Sequence, residues 1–198
     1  MLPLERREPM RNRDSGAVAV ETSFISLLLV FLLFGITEAS FLFKDAIAVS
    51  AASRAGARMG ASQPRLGGTP DFAQLAANQV ANGMSGLDPA NIQKVWVYKS
   101  SGTTKYPDSG SFQVNCTTCV RFRWDANSHS FVPSYSNWPA SSQNACSGDV
   151  ATPNLRDSLG VYVEYRHSSL LGFFLNNVTV SESTVMWLEP WFATPTCK

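Results

Sequence analysis

Residues 17–43 read AVAVETSFISLLLVFLLFGITEASFLF. No charge falls between Thr22 and Thr37, and from Thr22 to Phe43 the only one is Glu38. At about 1.5 Å of rise per residue that uncharged or nearly uncharged run extends about 33 Å, enough for a hydrocarbon core of about 30 Å. The composition therefore predicts one transmembrane helix over residues 17–43. Ahead of it, residues 1–16 are polar and carry Arg6, Arg7, Arg11 and Arg13, while Lys44, Arg54 and Arg58 follow it. The leading arginines favour a cytoplasmic N-terminus, by a narrow margin. The cysteines orient the chain better. Cys116, Cys119, Cys146 and Cys197 all lie beyond the apolar run, an even set that fits disulfides in an oxidising, extracytoplasmic compartment.

Two plainer readings compete. A cleaved secretory signal has an apolar region of about 7–15 residues, shorter than this one, although the small residues 46–52 imitate its cleavage site. An uncleaved anchor helix fits the length. Two residues argue past both. Glu21 stands inside the apolar run near its start, where a carboxylate needs a reason to be; at the bilayer centre it would cost a few kcal/mol. Gly16 stands at the boundary between polar leader and apolar run, five residues before Glu21.

Leader, Gly16, four small apolar residues and an acid form a pattern that resembles the type IV pilin superfamily. Within it, residues 12–61 resemble the TadE-like pseudopilins of the tight-adherence (Flp, type IVc) machinery, on the Gly16/Glu21 spacing, the FGITE segment with Glu38, and AASRAGARMGA. The resemblance implies a minor pilin or pseudopilin, a structural part of pilus assembly and not an enzyme. It also implies a cut between Gly16 and Ala17 by a prepilin peptidase, Glu21 as the assembly acid, and other pilins and the inner-membrane assembly platform as partners. The alternative is a membrane-anchored surface adhesin or ligand-binding domain.

The chemistry of Glu21 stands apart from the name. Cleavage would leave an α-amino group, mostly charged at neutral pH, beside a lipid-facing helix, and Glu21 of a neighbouring subunit could neutralise it. Glu38 is grouped with it as an assembly residue, but it lies seventeen residues on, about 25 Å along the helix and on another face. There a solvated interfacial carboxylate is the expectation.

Residues 44–61 continue the helix into the domain. Ala52, Gly56 and Gly60 recur every four residues on one face, suited either to close packing against another helix or to covering the protein's own sheet. The SQPRLGGTP run, residues 62–70, breaks the helix, and a second one follows over 71–82. Alternation then marks strands at 95–99, 120–125, 131–133, 161–166 and 178–188, clearest in CVRFRWD, where Val120, Phe122 and Trp124 share one face. The expected fold is α+β: a long helix running into a small extracytoplasmic domain, residues 62–198, with one further helix and an antiparallel sheet. Residues 134–154 read as a long surface loop.

CTTC runs straight into a strand, so neither a redox motif nor a zinc site is expected, and no metal or other cofactor. An extended segment would hold Cys116 and Cys119 about 10 Å apart, too far to bridge, so each should pair with Cys146 or Cys197. His129 and His167 belong to no catalytic motif and read as surface residues. Trp138 and Trp191 suit either an interaction surface or the core. Sixteen basic against fifteen acidic residues, a net charge of +1, exclude the electrostatic footprint of a nucleic-acid binder.

Overall fold

The computed structural model describes residues 14–63, 71–101, 106–108, 110–113, 115–139, 142, 156–169, 172 and 177–189. Most of the leader, the break at 64–70, Cys146, Trp191 and Cys197 lie outside them. Helix α1, Asp14–Ser62, is 49 residues long, and α2, Asp71–Gly83, follows the break. A 3-10 turn, Pro89–Asn91, is capped by Asp88, whose carboxylate accepts from the Ala90 amide at 3.0 Å. Among the described residues five strands follow: β1 Ile92–Lys99, β2 Cys119–Asp125, β3 Ser130–Asn137, β4 Ser158–Arg166 and β5 Thr179–Trp187. The protein is α+β, with all strand neighbours antiparallel in the order β3-β2-β1-β4-β5.

The helices cover one face of this sheet. Val95 pairs with Phe122 on one side and Val163 on the other, and Val97 with Val120 and Val161. This places a continuous apolar row under Val49, Ala52, Ala57, Phe72, Ala76 and Val80 of the two helices. Trp138 joins that core, edge-on to Phe72 with ring centroids 5.1 Å apart. Ala52, Gly56 and Gly60 all face inward, toward α2 and β4. A Cβ on Gly56 would stand 2.6 Å from Val80 Cγ2 and 3.1 Å from the Ala76 carbonyl; one on Gly60 would stand 3.1 Å from Leu159. The small-residue face is therefore occupied by the chain's own domain. Ser53, on the same side, donates to the Val161 carbonyl at 3.0 Å, tying helix to sheet.

Gly56→Ala sets a helix-propensity gain of about 1 kcal/mol against overpacking that costs about 1–3 kcal/mol. The close backbone carbonyl of Ala76 cannot swing away as a side chain can, so overpacking wins. Urea unfolding of the full chain in detergent micelles should show a lowered midpoint; an unchanged or raised midpoint would mean that α2 yields easily.

The sheet's other face is not bare. Trp96, Tyr98, Cys116, Cys119 and Tyr162 form a second buried cluster. Phe112 of the β1–β2 connection stacks on Tyr162, ring centroids 4.0 Å apart and planes 6° apart. Burial raises the Tyr98 and Tyr162 hydroxyls well above the ordinary phenol range. β3 also runs to Asn137, so residues 134–137 belong to the sheet and not to the expected loop.

Cys116 and Cys119 are bridged to each other, with Cα atoms 5.9 Å apart, which corrects the expected separate pairing with Cys146 and Cys197. The segment is not extended. Both oxygens of the Asp108 carboxylate accept backbone amides there, from Thr117 at 3.1 Å and Thr118 at 2.8 Å, and turn the chain just before β2. So short a closed loop contributes about 2 kcal/mol on the chain-entropy account. The double variant Cys116→Ser/Cys119→Ser should lower stability by about that amount and weaken the near-UV signal of the Trp96–Tyr162–Phe112 cluster. Unchanged aromatic ellipticity would show that the bridge does not hold this cover in place.

Candidate functional site: the membrane helix and its junction with the domain

From Gly16 to Phe34 every residue of α1 is exposed, including Phe24, at 71 %, and Leu28, at 63 %. Its most apolar window has a mean hydropathy of 2.3 and buries nothing against the rest of the chain, so α1 is long and apolar enough to cross a membrane once. The few hydroxyls in this stretch are satisfied within the helix. Thr22 donates to the Val18 carbonyl at 2.8 Å, Ser23 to Ala19 at 2.7 Å, Ser26 to Thr22 at 2.7 Å and Thr37 to Leu33 at 2.8 Å. Such four-residue back-bonding removes the cost of placing a hydroxyl in lipid.

Gly16 and Ala17 lie within the exposed first turns, and a Cβ on Gly16 would meet nothing within 4 Å. Glu21 is exposed on the same stretch, and no ion pair reaches it among the described residues. A carboxylate in an otherwise apolar surface is available only to lipid headgroups or to a second molecule.

Glu38 differs. It is 1 % exposed, which corrects the expectation of a solvated interfacial carboxylate. His167, expected at the surface, is 2 % exposed and stands beside it. Glu38 and Asp45 are seven residues apart on α1, two turns, and so share a face. The end of β4 brings the His167 ring to that face. Nδ1 stands 2.7 Å from Asp45 Oδ2, and Nε2 stands 3.5 Å from Glu38 Oε1, an ion-pair distance too long and poorly aligned for a good hydrogen bond. Asp45 is 7 % exposed. A carboxyl oxygen thus faces each ring nitrogen.

Neighbouring groups close the cluster in. Tyr165, two residues back on β4, has its hydroxyl raised above the ordinary range by burial first and by the Asp45 charge second, so it stays a neutral donor. On its far side Asn91 reaches the Ser168 hydroxyl at 3.5 Å. Lys44 donates to the Gly86 carbonyl at 3.3 Å, joining α1 to the turn after α2. Chemically this is a buried latch between the foot of the sheet and the point where α1 stops being bare. The Asp45–His167 pair has the form of an acid-oriented imidazole, but the oxygen facing Nε2 is an acceptor, where a nucleophile's hydroxyl would have to stand.

His129, the other histidine, lies in the exposed β2–β3 turn with φ 49°, as expected of a surface residue. One sequence signal for the latch was present: the heptad spacing of Glu38 and Asp45 on a helix that must bury a face. Its partner, at a strand end, carried none.

No curated protein and no solved structure matches the chain. Residues 16–58, the bare segment of α1 and the start of the packed one, match the family model described as TadE-like protein, and over that stretch the chain is similar to this family.

Proposed function

We propose that this chain is a minor pilin or pseudopilin, a structural and non-catalytic subunit in assembly of a tight-adherence type pilus. In this reading α1 spans the inner membrane with its N-terminus cytoplasmic and the domain outside. The leader is removed after Gly16 by a prepilin peptidase, and Glu21 pairs with the new amino group of a neighbouring pilin on the assembly platform. The observation that carries the reading is the exposed helix itself: an apolar surface opening at Gly16, interrupted by Glu21, and falling inside the TadE-like match. An adhesin on a plain anchor would need neither residue.

Gly16→Leu removes the scissile glycine while leaving the apolar surface intact. Cells whose only copy is this variant should accumulate full-length protein in the membrane and lack fibres, scored by immunoblot and electron microscopy beside the wild type. Normal processing and piliation would mean that Gly16 is an ordinary helix residue.

A further inference from the structure

The two edges of the sheet are unlike. β3 is a poor edge for further pairing: Pro133 offers no amide, and the register against β2 shifts between Arg121 and Phe122. β5 pairs with β4 along its whole length with no shift, and it holds no proline, no lysine or arginine, and one charged residue, Glu182. Among the described residues no strand lies beyond β5, so alternate residues turn an amide and a carbonyl outward along an unbroken edge.

Side chains border this edge on both faces. Glu182, Thr184 and Met186 stand opposite Val163, Val161 and Leu159, which belong to the core under the helices, so these three point toward α1. Ser53 donates to the Thr184 hydroxyl at 2.9 Å. The next residue on α1 is Arg54, and Arg58 follows one turn later; both are exposed, and among the described residues neither is ion-paired. With Met59, Gln79 and Met186 they line an open groove of about 540 Å³. Two like charges four residues apart on a helix repel each other, and a carboxylate placed between them relieves that repulsion. On the opposite face Trp187 is 47 % exposed at the end of the strand, a side chain of the type that anchors interfaces.

We propose that β5 is a strand-addition edge for an extended, acidic segment of a different polypeptide. The segment pairs antiparallel with β5 through its backbone and directs carboxylates at alternate positions toward Arg54 and Arg58; the ladder supplies affinity and the alternate side chains supply selectivity. A second copy fits less well. β5 runs in the same sense as α1, since Thr184 lies at Ser53 and the Glu189 amide donates to the Ala61 carbonyl at 3.0 Å. Copies held in one membrane by α1 would bring their β5 strands together in parallel, the weaker pairing. β3 of a second copy also runs in that sense and carries Pro133. This choice of partner rests on α1 spanning the membrane; the open edge and its arginines do not.

The probe is a fluorescein-labelled synthetic peptide, TEVEVEVT, titrated with the full chain in uncharged detergent micelles and followed by fluorescence anisotropy. It is compared with TKVKVKVT and with two forms of TEVEVEVT, one N-methylated at its valines and one at its glutamates, each unable to pair along one edge. The acidic peptide should bind about tenfold or more tightly than the lysine peptide, and Arg54→Glu/Arg58→Glu should reverse that order. At least one N-methylated form should lose binding by a similar factor. Equal binding of the two charge forms, no reversal in the variant, full binding by both N-methylated forms, or no binding of the acidic peptide would overturn the proposal. Hydrogen exchange at the β5 amides that slows with the concentration of the chain alone would place a second copy on the edge and overturn it as well.

Discussion

His167→Leu should destabilise the domain by about 3–5 kcal/mol, because it leaves the buried Glu38 and Asp45 carboxyl groups without the ring that faces both. Against a typical domain stability of about 5–15 kcal/mol this removes about a fifth of the total or more, although only one side chain changes. Leucine keeps most of the imidazole's volume, so the loss is electrostatic and not a cavity effect. The companion variant Glu38→Gln/Asp45→Asn/His167→Leu removes all three ionisable groups at once and should recover most of the loss, since replacing a whole buried ionisable cluster by neutral groups is often nearly neutral. Urea unfolding of full-length protein in detergent micelles, followed by near-UV circular dichroism, reads both. A single variant within about 1 kcal/mol of wild type, or a triple no better than the single, would mean that the three groups are not coupled.

Glu21→Gln should stop incorporation into fibres without stopping processing. Glutamine keeps the volume and hydrogen-bonding capacity of the side chain but not the charge that neutralises the Ala17 amine of a neighbour. An unpaired ammonium in a lipid-facing or helix-packed site costs several kcal/mol, more than is gained by inserting a neutral side chain, so the balance favours failure of assembly. Processing is untouched because Gly16 and Ala17 remain. The variant should accumulate in the membrane as mature monomer, visible by fractionation and by loss of pull-down with other pilins. Cleavage followed by normal piliation would remove the pairing mechanism. Among the described residues nothing competes with that role: Glu21 stands on the exposed stretch, while the other carboxylate of α1's apolar run, Glu38, is already engaged.

Local pattern was enough wherever local pattern decides structure. The bare half of α1 follows from its uncharged length, α2 from a capped and periodic segment, and each strand from alternation, with β2 showing Val120 and Phe122 inward and Arg123 outward. What escaped depends on distant parts of the chain. His167 ends a strand beside polar residues and reads as exposed; it is buried because Asp45, 122 residues earlier, stands against it. CTTC abuts a strand and reads as extended; it turns because Asp108 captures two of its amides. The second buried face depends on pairing: Trp96, Tyr98 and Tyr162 meet there only once β1 and β4 pair, with Phe112 brought in by a connection. The FGITE glutamate, Glu38, reads as a solvated interfacial carboxylate and is buried, because distance along a helix gives depth and not what packs beside it.

The central claim is that α1 is a processed pilin-type helix, and the N-terminal sequence of the protein extracted from its native membrane tests it most directly. Edman degradation or terminal-peptide mass spectrometry should read Ala17-Val18-Ala19-Val20-Glu21. A mature chain that begins at Met1, or one that begins beyond Ala46, would contradict it.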